Sequence, residues 1–306
     1  MMRSLICFVV VISLTACGGG GGGGSSASPS PPPAITPPAG IPNVNPPGAT
    51  RIAYGADGLQ FGDLRIPAAS FGPGPYPVAV VVHGGCWTSG VGTLVSSASL
   101  ADALTKRGIA TWNIEYRAIG DAGGGYPGTF HDWSAATDYV RTLAATYPLD
   151  LSRVVLVGHS AGAHGALWLA ARKRIAAGSE LAAVDPLPVK AVVALDGPGE
   201  LRPSLGYSGL CNNAAERLLG GTPEAVPDRF RQASPSELLP LGVPQYLVSA
   251  TFLTPGPAAR YRDMAVAKGD MVTIIDQSSS GHFEMVTPGR SQELEVENTV
   301  VGIVGP

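Results

Sequence analysis

The chain is 306 residues long, with 45% hydrophobic residues, 14% charged residues and a formal net charge of −3. That length suits one large α/β domain or two small ones, and the apolar content can bury a full core, which excludes a chain disordered throughout. The small net charge gives no electrostatic reason to expect a nucleic acid as partner, and no run of like charges marks an interaction tail.

The first residues read as a targeting segment and are set aside from the fold. Arg3 supplies a positive end, and Leu5 to Leu14 is an apolar stretch too short to span a bilayer. It runs into Leu14-Thr15-Ala16-Cys17-Gly18, which resembles the bacterial lipoprotein processing site. The resemblance implies cleavage before Cys17 and a lipid on it, so residues 1–17 are expected to be a lipoprotein signal peptide. The protein is then expected to be exported and held at the cell envelope by acyl chains, with no spanning helix. In a Gram-negative cell the expected place is the outer membrane or periplasm, since Gly18 is not the Asp associated with inner-membrane retention.

Gly18 to Gly24 is an unbroken glycine run, and Ser25 to Pro47 is dominated by Ser, Pro, Ala and Gly. Such a stretch has no apolar periodicity to bury and serves as a tether, so residues 18–50 are expected to be a disordered linker and 51–306 the folded domain. From Arg51 the pattern alternates. Arg51–Tyr54 and Leu59–Ile66 predict a short hairpin, and Tyr76–Val82 is a nearly continuous β-branched run, as in a strand buried on both faces. Leu94–Arg107 predicts a helix, Ala110–Tyr116 a strand, His131–Tyr147 a long helix, Ser152–Val157 a strand and Ala161–Ile175 a helix. Lys190–Leu195 is the sixth strand. A Pro- and Gly-rich stretch from Gly197 to Leu241, with a short helix near Asn213–Leu219, then breaks the rhythm and reads as an insertion. Val243–Val248 predicts a strand, Ala258–Lys268 a helix, Met271–Ile275 the last strand, and the remaining residues only weak helix. Strands alternating with helices predict a mostly parallel sheet covered on both faces, with its ligand site at the carboxyl ends of the strands.

Three motifs fall at such ends. Gly158-His159-Ser160-Ala161-Gly162 follows one strand and opens a helix. A serine there sits on a tight, exposed turn, and the glycines let the backbone bend and the elements approach. His83-Gly84-Gly85-Cys86-Trp87 ends the Tyr76–Val82 strand, where glycines can leave backbone N–H groups free to face a developing oxyanion, together with the N–H of Ala161. A serine hydroxyl needs a base. Of His83, His131, His159, His164 and His282, only His282 follows the last strand, in Gly281-His282-Phe283-Glu284.

HGGCW, YPGTFHDW, SRVVLVGHSAGAHGALWLA and GHFEMVTP together resemble α/β-hydrolases of the esterase, lipase and prolyl-oligopeptidase group, most nearly bacterial feruloyl-esterase-like and kynurenine-formamidase-like enzymes. The resemblance runs from about Tyr76 to Pro288. It implies the α/β-hydrolase fold and ester or amide hydrolysis through an acyl-enzyme. Ser160 is then the nucleophile, His282 the base, and Gly84, Gly85 and Ala161 the oxyanion donors. No cofactor is implied.

One position departs from the pattern. Such enzymes carry an acid just after the next-to-last strand, and here Ala250-Thr251-Phe252-Leu253-Thr254-Pro255 has no carboxylate. Asp196, one strand earlier in Ala194-Leu195-Asp196-Gly197-Pro198, is the first substitute; Asp276, six residues before His282, or no acid at all are the alternatives.

The expected activity is that of a carboxylesterase on a small or medium acyl ester. An amidase or peptidase of the same fold, or a non-catalytic binding protein, are the competing readings. Cys86 and Cys211 could pair in an exported protein or stay as two thiols. No metal-ligand cluster is visible, Trp87 is a candidate for the pocket wall, and the Gly197–Leu241 stretch is expected to shape the pocket. The oligomeric state is not legible.

Overall fold

A computed structural model describes residues 45–202, 211 and 213–305. Cys17, the signal segment and most of the tether lie outside the described residues. The eight strands are β1 (Thr50–Ala53), β2 (Phe61–Arg65), β3 (Tyr76–Val82), β4 (Ala110–Ile114), β5 (Leu149–His159), β6 (Ala191–Leu195), β7 (Gln245–Ser249) and β8 (Val272–Asp276). They form one sheet in the order β1-β2-β4-β3-β5-β6-β7-β8. The β1–β2 and β2–β4 pairs are antiparallel and every later pair is parallel. This is the α/β-hydrolase fold.

The helices are α1 (Val95–Thr105), α2 (Gly128–Asp138), α3 (Val140–Ala144), α4 (Ala161–Ala171), α5 (Ala214–Leu219), α6 (Pro227–Ala233), α7 (Pro255–Ala267) and α8 (Ser291–Val304). Side chains alternate across each strand, so β3 splits between two cores. Val78, Val80 and Val82 pack with Trp133, Leu167 and Trp168 on one face; Ala79 and Val81 pack with Leu100, Leu104, Val296 and Val300 of α1 and α8 on the other. Every residue of β3, β4 and β6 is buried, which is why β3 and β6 read as unbroken apolar runs rather than as alternation; in β4 the buried Thr111 and Asn113 are hydrogen-bonded to α1 and its start.

The differences from the expected elements are local. The His131–Tyr147 helix begins earlier, at Gly128, and is divided into α2 and α3 at Tyr139. The weakly helical tail is a full helix of 14 residues, α8, whose Val296, Val300 and Val304 form the buried stripe. Helix α6 was not expected, although Pro227 at its first turn is a usual start. The domain's side-chain contacts reach back to Asn45, which donates to Asp63 and accepts from Arg65.

The register sets the site. Gly158 of β5 lies level with Val82 of β3 and Ala194 of β6, and His159 with Leu195. Leu195 in turn lies level with Val248 of β7, and Ser249 with Asp276 of β8. The segments that leave these parallel strands, at His83, Ser160, Asp196, Ala250 and Gln277, therefore emerge on one rim.

Candidate active site

Ser160 occupies the turn between β5 and α4 with φ 56° and ψ −119°, a conformation that costs a non-glycine residue free energy. Its neighbours make the turn possible. A Cβ on Gly158 would stand 2.0 Å from the Gly162 carbonyl oxygen, and one on Gly162 2.1 Å from that of Val82. The Ser160 amide is tied to the Leu195 carbonyl at 2.8 Å, which anchors the strained residue to the neighbouring strand.

Ser160 and His282 line one cleft, together with Gly84, Gly85, Cys86, Val91, Gly92, Ser96, His159, Phe252 and Phe283. The His282 Nδ1 lies 2.6 Å from Oδ2 of Asp196. The Asp196 carboxylate has no proton to give, so Nδ1–H donates, and Nε2 keeps its lone pair for a proton from the cleft. The ring is clasped between Phe252, at 4.0 Å between centroids, and His159, at 4.4 Å.

Asp196 is fully buried, itself at φ 46°. The Ala250, Thr251, Phe252 and Leu253 amides all donate to it, at distances between 2.7 and 3.2 Å. Burial pushes its carboxyl up, but the bond and charge of His282 with the Phe252 and Leu253 amides outweigh that and hold it below its ordinary value. Asp276, by contrast, points to solvent and bonds to its own neighbour Ser278.

The other histidines have separate places. His159 is buried, its Nε2 2.9 Å from the His282 carbonyl, and burial followed by the His282 charge lowers it to about 3. It stays neutral and donates that bond. His164 lies in the aromatic core, donates to the Ala233 carbonyl at 2.8 Å, and is lowered by burial to about 4. His131 bonds to the Glu180 carbonyl on the surface. Among the described residues, no group of three His, Cys, Asp or Glu side chains could hold a metal ion.

Gly84 and Gly85 carry the wall opposite His282. A Cβ on Gly84 would crowd Ser160, 3.0 Å from its Cβ, and Gly85 has φ 124° with a Cβ there only 2.7 Å from the Gly92 nitrogen, so the second place requires glycine. The amides of Gly84, Gly85 and Ala161 donate to no acceptor among the described residues. Cys86 is bonded to Cys211 in a disulfide that joins this wall to the stretch after β6. The described residues lining the cleft lie outside Gly197–Leu241, and residues 203–210 and 212 of that stretch lie outside the described residues. Trp87 is also not in the wall; it is buried beneath it, edge-on to His164.

Sequence reasoning missed Phe252 and Phe283, which line the cleft. The phenylalanines carried no signal, because a ring in a loop has no periodicity to betray its direction.

The BD-FAE family model matches residues 63–249, and the chain belongs to that family, within the esterase group of the α/β-hydrolases. A probable isoprenylcysteine alpha-carbonyl methylesterase of Arabidopsis thaliana is 34% identical over 113 residues, 37% of this chain but only 22% of that protein. A truncated carbohydrate esterase from gut microbiota superposes with a TM-score of 0.70 at 19% identity, covering 89% of this chain and all of that one. An esterase of the planctomycete Thermogutta terrifontis gives 0.67 at 17% identity, over 85% and 95% of the two chains. At such identities the structures show a shared fold.

Two outcomes follow from this geometry. Asp196→Asn should lower kcat by about four orders of magnitude through loss of the His282 tautomer, while Asp276→Asn leaves it within about twofold; steady-state kinetics on both variants is the check. The second is acid sensitivity. His159 and His164 have folded-state values depressed to about 3 and about 4, so the unfolded chain binds their protons first as pH falls below about 6.5. Stability is full above that pH and is lost toward about 4, with a contribution from the pair approaching two protons, or about 2.7 kcal/mol per pH unit. Urea unfolding at a series of pH values measures the slope, and His164→Gln should reduce it by about one proton.

Proposed function

We propose that the protein is a serine carboxylesterase acting on a small or medium acyl ester. The observation that carries the reading is the chain of contacts from a caged carboxylate through His282 into the cleft that holds Ser160. The Ser160 Oγ attacks the ester carbonyl carbon while His282 Nε2 takes its proton. Negative charge on the former carbonyl oxygen is met by the Gly84, Gly85 and Ala161 amides. The C–O bond to the alcohol then breaks, and the alcohol leaves with the proton held on His282. Water repeats the attack on the acyl-enzyme, giving the carboxylic acid and restoring Ser160. Asp196 stays ionised throughout and stabilises the imidazolium.

The family and the esterase relatives support an ester rather than an amide as the substrate, and the shallow apolar wall of Val91, Phe252 and Phe283 suits an acyl chain. The wild-type chain should hydrolyse a short p-nitrophenyl ester far faster than the matching anilide and should be labelled on Ser160 by a fluorophosphonate; Ser160→Ala should lose both. A faster anilide would move the assignment to an amidase, and an unlabelled, inert wild type would reject the enzyme altogether.

Export with a lipid on Cys17 is part of the same proposal. The Cys86–Cys211 bridge supports it, since disulfides persist outside the reducing cytosol. Cell fractionation tests it: the wild type should sediment with membranes and Cys17→Ser should not. Equal distribution of the two would remove the anchor from the account.

A further inference from the structure

The geometry points to Glu115 and His83 as a buried carboxylate–imidazolium pair that aims the Gly84 and Gly85 amides into the cleft. Both are positioning residues for the oxyanion site, and the inference rests on the esterase reading above for what the aimed amides do.

The proton count comes from the acceptors. His83 Nδ1 lies 2.6 Å from the Gly84 carbonyl oxygen, and Nε2 lies 2.7 Å from Glu115 Oε1. A carbonyl has no proton to give, so Nδ1 donates. Glu115 already receives the Leu94 amide on Oε2 at 3.0 Å and the Tyr116 amide on Oε1 at 3.1 Å. Burial pushes its carboxyl up, but the charge and bond of His83 and these two amides outweigh burial and hold it below its ordinary value. It is therefore an anion and an acceptor, so Nε2 also donates. With a proton on each nitrogen the ring is an imidazolium. The His83 and Glu115 side chains are only 3% and 7% exposed. The ring lies flat on Tyr116, 4.3 Å between centroids and 16° between planes, where the electron-rich face favours a cation.

Among the described residues, the only charged group bonded to Glu115 is His83. From the end of β4 come Glu115 and the neutral Tyr116; from the start of α1, the Leu94 amide; from β5, His159, which is neutral. Tyr54 donates its hydroxyl to the Glu115 carbonyl. Arg51, whose charge reaches Glu115, is taken by Asp63 at 2.9 Å.

The consequence lies in two peptide planes. The Tyr116 hydroxyl donates to the His83 carbonyl at 2.9 Å, and the His83 ring donates to the Gly84 carbonyl. In a trans peptide the N–H points opposite to the C=O. Fixing these two carbonyls toward His83 and Tyr116 turns the Gly84 and Gly85 amides the other way, the side on which Ser160 stands against Gly84. A neutral His83 has one ring proton. It would have to abandon either the Gly84 carbonyl or the Glu115 carboxylate, and the peptide that makes the oxyanion donor would be free to turn.

The test uses the full chain and reads proton and function separately. Nitrogen-15 NMR of labelled histidine, with His83 assigned by its loss in His83→Gln, should show both His83 nitrogens protonated at neutral pH. A nitrogen without its proton overturns the pair, whether or not the protein hydrolyses an ester. Glu115→Gln should lower kcat by about 10- to 100-fold with KM within about twofold, and should weaken a trifluoromethyl ketone that forms an oxyanion on Ser160 by the same factor. A folded Glu115→Gln with the wild-type kcat and ketone affinity overturns the positioning role. If Glu115→Gln does not fold, Tyr116→Phe keeps the stacked ring and removes only the bond to the His83 carbonyl. It should cut kcat severalfold with KM unmoved, and unchanged kcat in that variant overturns the role equally. A wild type that binds no ketone and turns over no ester, with both His83 nitrogens protonated, keeps the pair and rejects the esterase reading instead.

Discussion

The site depends on a negative charge buried where water cannot reach it. An ionised carboxylate moved into an apolar interior is costly unless its lone pairs are filled. Asp196 meets that condition with consecutive main-chain donors, Ala250 to Leu253, and with the His282 ring. Main-chain amides are fixed by the fold and carry no side-chain entropy cost, so the cage is rigid before any substrate arrives. Rigidity passes outward: the caged carboxylate fixes the imidazole tautomer, and the tautomer leaves Nε2 free.

This arrangement also explains the loop after β7. It lacks the acid that the family pattern expects there, yet the same loop supplies all four amides that hold an acid from the neighbouring strand. The acid and its donors have exchanged strands. The exchange is possible because β6 and β7 are parallel and in register, Leu195 level with Val248, so that the two loops face each other at one height. A carboxylate kept in the β7 loop beside Asp196 would place like charges in one dry cage, which the interior would not tolerate.

The fold was largely legible because burial on both faces writes a continuous apolar run, as in Tyr76–Val82 and Ala191–Leu195, and because the turn at Ser160 demands glycines on either side. His282 was legible by its place after the last strand. The choice between Asp196 and Asp276 was not, since a turn-forming Asp before Gly-Pro and a caged one look the same in sequence. The Cys86–Cys211 pairing was equally hidden, because it joins residues 125 apart and depends on where a loop folds back. Helix α8 read weakly because its fully buried apolar residues, Val296, Val300 and Val304, form a stripe one residue wide, and the first buried position of the helix is the polar Glu293.

The histidines show how one residue type is divided by its neighbours. His164, surrounded by Trp87, Phe130 and Trp133, meets no charge and stays neutral as a core hydrogen-bond donor. His159 sits against His282 and stays neutral; in the proposed mechanism a second cation there would oppose the imidazolium formed on His282. His282 faces one carboxylate and one open side, and can gain and lose a proton. His83 faces an acceptor on each nitrogen and has no open side, so it has no proton to exchange with a substrate. In the proposed mechanism that difference separates a base from a brace: both are paired with a buried carboxylate, and only His282 keeps a ring nitrogen on which a charge can be made and unmade during turnover.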